Sequence, residues 1–134
     1  GKFLIQPLGN LATKFLASPQ VRQSVSENAY FDRSFATADA RKCAALHLEM
    51  PRWSETLIAF TRSGGYGYLL DQLPEIQQET LIIWGKQDRI LGTNAAQLFN
   101  QNLPNSQLKW IDNCGHVPHL EQAQITAQSI LDFI

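Results

Sequence analysis

Two short apolar runs constrain this chain more than anything else in it. Residues 80–84 read Thr-Leu-Ile-Ile-Trp and residues 108–112 read Leu-Lys-Trp-Ile-Asp. The first is short, apolar and β-branched, as strands buried in parallel sheets are. Between the two runs, Asn94 can cap a helix with Gln97 as its capping-box partner, and Leu98 and Phe99 supply an apolar face. Pro104-Asn105-Ser106 then makes a turn. Strand, helix and strand joined by links this short form a βαβ unit, so the strands should run parallel with a right-handed crossover. Residues 121–134 read as one closing helix whose apolar positions are Ile125, Ile130, Leu131 and Ile134.

Residues 1–70 follow a different pattern, helices and connectors without a convincing strand pair. Ser18-Pro19 marks a helix start, because Ser can cap and Pro is pre-set for the first helical position. Thr37 is a second candidate cap, followed by Ala-rich sequence to Met50, with Cys43, Leu46 and Met50 on one face. Pro51 breaks that helix. Trp53, Leu57 and Phe60 recur at helical spacing as an amphipathic stripe expected to pack on a core, and Gly64-Gly65 ends it. The chain shows no internal repeat and no low-complexity segment.

A net charge of −1 gives no reason to expect nucleic acid or an anionic membrane as partner. Residues 1–70 carry eight basic and five acidic residues, and residues 71–134 three and seven, a division that ordinary scatter accounts for. Cys43 and Cys114 do not make a disulfide framework. No stretch is long enough to span a membrane, and residues 1–16 lack the apolar core of a signal peptide, so a cytoplasmic setting is the default expectation. No cofactor is expected.

The chemistry-bearing residues sit where the two strands end. Asp88 follows Leu81-Ile82-Ile83-Trp84-Gly85-Lys86-Gln87, and His116 lies in Asn113-Cys114-Gly115-His116-Val117-Pro118-His119. Ligands of open α/β sheets bind at the C-terminal ends of strands. Adjacent strands are about 4.8 Å apart, so loops at neighbouring strand ends can bring an Asp oxygen to a His nitrogen. A His working as a base presents one ring nitrogen to a nucleophile and donates from the other to a carboxylate that fixes its tautomer.

These segments resemble the last third of an α/β-hydrolase. Residues 81–88 look like that family's LIIWGxxD segment, and residues 115–121 look like its GHxPxxE segment. The resemblance implies that Asp88 is the triad acid and His116 the general base. It is firm over residues 71–134, including the helix and Pro turn between the motifs. Residues 1–70 fit, by position and helicity, the helical cap (lid) that many members insert before the acid strand. Residues 71–134 would then be the C-terminal part of the α/β core. Glu79-Thr80 stands where a Pro often precedes the strand, and Ala123 where one often follows the Glu; both departures concern flanking turns. Members keep the chain order nucleophile, acid, His, yet no G-x-S-x-G occurs here. The expectation is therefore the C-terminal portion of a hydrolase, inactive alone and partnered by the missing N-terminal half of the core. Its small-molecule substrate would be hydrophobic, with Trp53, Phe60, Tyr66 and Tyr68 as candidate lining residues. A sheet of two strands with a bare edge should also self-associate when isolated.

Other groupings carry less. Asp112, Cys114, His116, His119 and Glu121 are dense in ligand-capable side chains but come from one ten-residue segment, whereas zinc sites usually pair two motifs. Ser63-Gly64-Gly65-Tyr66-Gly67 lacks the Lys-Ser/Thr of a phosphate loop and suits a hinge. Cys114 is expected to pack under its loop, His119 receives no role, and Glu121 is expected to favour a helix N-terminus through its charge. A non-catalytic interaction domain that retains the fold is the competing reading.

Overall fold

The computed structural model describes residues 6–65 and 67–134. The front half contains helices α1 (Gln6–Leu16), α2 (Pro19–Ala29), α3 (Ala38–Ala45) and α4 (Trp53–Arg62), with 3₁₀ turns at Arg33–Phe35, Leu46–Glu49 and Gly67–Glu75. The back half runs β1 (Thr80–Gly85), α5 (Asn94–Asn102), β2 (Ser106–Ile111), α6 (Pro118–Glu121) and α7 (Ala123–Leu131). Among the described residues no helix is long and apolar enough to cross a membrane.

Local chemistry explains most boundaries. Ser18 precedes α2 with extended backbone and Pro19 opens the helix. The Thr37 hydroxyl accepts from the Ala40 amide at 3.1 Å, a cap of the kind worth about 1 kcal/mol. The helix after Thr37 does not run to Met50: it tightens into 3₁₀ geometry at Leu46. The chain then turns at Pro51 and Arg52, whose φ of 63° lies in the left-handed region, before α4 begins. At the end of α4 the Gly65 amide reaches back to Phe60 O at 3.1 Å while Gly64 and Gly65 take positive φ, the left-handed ending that glycine favours.

The expected stripe of α4 is not its core face. Ile58 is buried and lies against Gly9 of α1, whereas Trp53 and Leu57 are half-buried and Phe60 is exposed. The contact with α1 turns the helix about one residue away from the Trp53-Leu57-Phe60 line.

β1 and β2 pair in parallel, Thr80 opposite Ser106 through Gly85 opposite Ile111, with Trp84 facing Trp110. Among the described residues these two strands are the whole sheet. Within β1 only Ile82 and Gly85 are buried, and Leu81, Ile83 and Trp84 remain half-open. The apolar run predicts a deeply buried strand, but a two-stranded sheet covers each strand on one side only. Helix α5 packs on both strands, with Ala96 buried and the Phe99 ring 6.3 Å from that of Trp84. Its start departs from the expected capping box. Thr93 holds the cap position without a side-chain hydrogen bond, Asn94 is already helical, and Leu98 faces outward.

The closing helix is the largest difference from expectation. It is two helices, broken at Gln122 (φ −129°, ψ 51°). In α7 the inward residues are Thr126 and Ser129, whose hydroxyls donate to Pro118 O at 3.0 Å and Ile125 O at 2.7 Å. Ile125, Ile130 and Leu131, with Ile134 beyond the helix, are exposed. Helical spacing identifies an apolar face but not the direction it points.

Candidate active site

The site is assembled by two loops that leave the strands side by side. After Gly85, the Lys86 amide donates to Ile111 O and the Gln87 amide to Cys114 O, both at 2.9 Å. The Gln87 side-chain oxygen accepts from the Cys114 amide at 3.0 Å. Lys86 Nζ adds an ion pair to Asp112 at 2.7 Å, too exposed to contribute much. The two loops are therefore joined backbone to backbone before the Asp88 and His116 side chains are considered.

Asp88 and His116 meet across that junction. Asp88 Oδ2 lies 3.0 Å from His116 Nδ1, and Asp88 Oδ1 accepts from the amides of Ile90 at 2.8 Å and Leu91 at 3.0 Å. The Asp88 side chain is 3% exposed, against 34% for His116. A buried carboxylate needs its lone pairs occupied. Three donors do this here and leave the carboxylate no freedom to swing. An ionised carboxylate only accepts, so it fixes the imidazole proton on Nδ1 and leaves Nε2 with its lone pair.

His116 lines a cleft of about 820 Å³ whose walls come from α2, α3 and the connection between them, with Val25, Ala29, Tyr30, Phe35 and Ala44 prominent and Val117 and Leu120 opposite. A smaller cleft of about 130 Å³ is lined by Asp88, His116, Trp84 and Leu91. The expected lining residues lie elsewhere. Trp53 and Phe60 line a separate cleft of about 420 Å³ with His47 and Met50. Tyr66 lies outside the described residues, as does the side chain of Tyr68. The residues that do wall the His116 cleft include Val25, Tyr30 and Phe35; the aromatics at 30, 31 and 35 are the sequence signal that the choice of Trp53 and Phe60 passed over.

Cys114 is fully buried beneath the His loop. Burial, with the neighbouring Glu121 and Asp88 charges, pushes its thiol up to about 11. A thiol held there is protonated at neutral pH and is no nucleophile. Cys43 is exposed. Brief iodoacetamide treatment of the folded protein at pH 8 should therefore add one label, on Cys43, by intact and peptide mass. Equal labelling of Cys114 would contradict its buried, protonated state.

Glu121 has a larger part than its sequence position indicates. It ends α6 rather than starting a helix, and it is 7% exposed. Its carboxylate accepts three backbone amides: Gly115 at 2.7 Å, Asp32 at 2.6 Å and Phe31 at 3.1 Å. Two of those donors lie some ninety residues away in sequence, so no local pattern announces them. His119, by contrast, is exposed. Among the described residues no group of three or more His, Cys, Asp or Glu side chains is arranged to hold a metal ion.

Comparison with known proteins bears on the fold. The family profile described as alpha/beta hydrolase fold matches residues 2–123. The monoacylglycerol lipase ABHD6 of Mus musculus is 38% identical over 66 residues, which are 49% of this chain and 20% of that protein. The 2-hydroxy-6-oxononadienedioate/2-hydroxy-6-oxononatrienedioate hydrolase 2 of Pseudomonas putida is 40% identical over 63 residues, 47% of this chain and 22% of the relative. Among solved structures, a 2-hydroxy-6-oxo-6-phenylhexa-2,4-dienoate hydrolase from Rhodococcus superposes with a TM-score of 0.73 at 18% identity, covering 92% of this chain and 46% of the other. The chain thus spans about a fifth of the length of these curated relatives and under half of the solved structure. On the strength of the profile match across most of its length, the chain belongs to the alpha/beta hydrolase fold family.

Proposed function

We propose that this chain supplies the acid and the base of a hydrolase acting on an ester or related bond of a hydrophobic small molecule. The observation that carries the reading is the contact of 3.0 Å between buried Asp88 and His116, with the remaining carboxylate oxygen held by two loop amides. In this role His116 Nε2 takes the proton of an attacking nucleophile and later returns it to the leaving group. Asp88 holds the ring and stabilises the imidazolium formed between those steps. The nucleophile would come from sequence beyond these residues, since they contain no G-x-S-x-G. Residues 1–70 would act as the helical cap and residues 71–134 as the C-terminal part of the core. The largely apolar cleft that His116 lines supports a hydrophobic substrate. The relatives are named as a monoacylglycerol lipase and a hydrolase of an oxo-dienedioate, so both ester and carbon–carbon cleavage stay within the class.

A fluorophosphonate probe tests this. An adduct should form, by intact mass, on a longer polypeptide that includes the upstream half, and fail to form on this chain alone. Labelling should fall sharply in a His116→Ala variant of the longer polypeptide. An adduct on the isolated chain would show that one of its own serines is activated and sink the division of labour proposed here. No adduct on either would point to an Asp nucleophile or to a non-catalytic role.

A further inference from the structure

We propose that Glu121 is a positioning residue for the base: one buried carboxylate ties the loop that carries His116 to the wall of the cleft. This rests on the reading of His116 as the base. The wall segment, residues 29–32, and the loop, residues 115–116, come from opposite halves of the chain. They are joined by a small set of hydrogen bonds. Glu121 Oε2 accepts from Gly115 on one side and Phe31 on the other, while Oε1 accepts from Asp32. Beside them the His116 amide donates to Ala29 O at 2.7 Å. The same segment lines the His116 cleft through Ala29 and Tyr30.

The geometry makes Glu121 more than a filler. Among the described residues the His116 ring has one hydrogen-bonding partner, Asp88, so the placement of Nε2 depends on that contact and on where the backbone at 115–116 is held. Asp88 is itself immobile, fixed by Ile90 and Leu91. The loop backbone is therefore the adjustable member of the pair: Gln87 holds it at Cys114 and Ala29 O at His116, and Glu121 holds the Gly115 amide between them. A carboxylate suits the task because three donors converge on it and it has no proton of its own to place against them. A glutamine could keep its carbonyl oxygen on Gly115 and Phe31 but would turn an NH₂ toward the Asp32 amide, donor against donor. An alanine would leave the buried Gly115 amide and the part-buried Phe31 and Asp32 amides without this acceptor. Gly115 runs so close to the wall that an added Cβ there would lie 2.4 Å from Ala29 O.

The test uses the full hydrolase carrying this chain, with a p-nitrophenyl acyl ester as substrate. Glu121→Gln, Glu121→Ala and His116→Ala are compared with the parent for kcat, KM and melting temperature. A proton NMR spectrum of each follows the His116 Nδ1–H held by Asp88. Misplacing a reacting group by an ångström costs about a hundredfold in rate. The expected pattern is a kcat loss of about tenfold for Glu121→Gln and about a hundredfold for Glu121→Ala, with KM within about threefold. The Nδ1–H resonance should broaden in the same order. If Glu121→Ala does not fold, Glu121→Gln decides. Unchanged kcat and an unchanged Nδ1–H signal in folded variants, with only the melting temperature lowered, would reduce Glu121 to a structural residue and overturn the proposal. In that case an inactive His116→Ala leaves the reading of the base standing. A His116→Ala variant that still turns over would remove the base itself, and this inference with it.

Discussion

Replacing Asp88 with Asn in the full hydrolase should lower kcat by about four orders of magnitude while leaving the protein folded. The asymmetry follows from the hydrogen bonds. Asn keeps one oxygen, and that oxygen can go on accepting from the Ile90 and Leu91 amides, which shape the loop. Its amide nitrogen then occupies the place of Oδ2, facing His116 Nδ1. Two donors cannot share that contact, so the imidazole must move its proton to the other nitrogen. The nitrogen meant to accept the nucleophile's proton is then already protonated. The checking measurement is kcat at saturating substrate alongside the circular dichroism spectrum and melting curve. A rate near the parent's would mean that another carboxylate serves as the acid. A collapsed melting curve would mean that the loop, rather than the tautomer, depends on the second oxygen.

Gly85→Ala should be the most damaging small substitution in the chain. An added methyl at this position would lie 2.0 Å from Gly115 O and 2.4 Å from Cys114 O. Both obstacles are backbone, and a backbone oxygen cannot rotate out of the way as a side chain can. Relief requires β1 to part from the His loop. That breaks the Gln87–Cys114 exchange of hydrogen bonds and moves Asp88 away from His116. The expected cost exceeds about 4 kcal/mol, most of the stability of a domain at the low end of the usual range of about 5–15 kcal/mol. Gly92→Ala is the control. Nothing lies within 4 Å of its Cβ position, so its positive φ of 70° is the sole source of cost. Such strain is worth about 1–2 kcal/mol. Urea midpoints should separate the two clearly, and similar midpoints would argue against so close a backbone approach at Gly85.

The sequence makes the Asp88–His116 pair legible because its signals are short-range. An apolar run that ends in Gly and a loop Asp, and a second run that ends in Gly-His, place both residues by strand geometry alone. The parallel pairing follows from link length, and Thr37 and Pro19 act locally through capping and fixed φ. What the sequence conceals depends on partners distant along the chain. Glu121 bonds to amides near residue 31, and a backbone donor leaves no trace in composition. The orientations of α4 and α7 are similarly hidden. Spacing reveals an apolar face, but the contact of Ile58 with α1 decides which side of α4 is covered, and the inward Thr126 and Ser129 decide it for α7. The lining of the cleft was passed over in favour of Trp53 and Phe60, which are conspicuous aromatics, yet the wall beside His116 is built by α2 and α3.

The seam between residues 29–32 and the His loop also bears on how such a protein can be diversified. Three hydrogen bonds cross it, from the His116, Phe31 and Asp32 amides, and the front half contributes only main-chain atoms to them. The three bonds themselves therefore do not depend on which side chains stand at 29–32, provided the main chain keeps its course past Gly115. A chimera that exchanges the helices beyond residue 33 for those of a relative keeps the seat of His116 intact. One spliced between residues 29 and 32 exposes that seat to every mismatch in the donor's turn. The shape of the cleft and the setting of His116 meet along a few peptide units, and the splice point decides whether they vary separately.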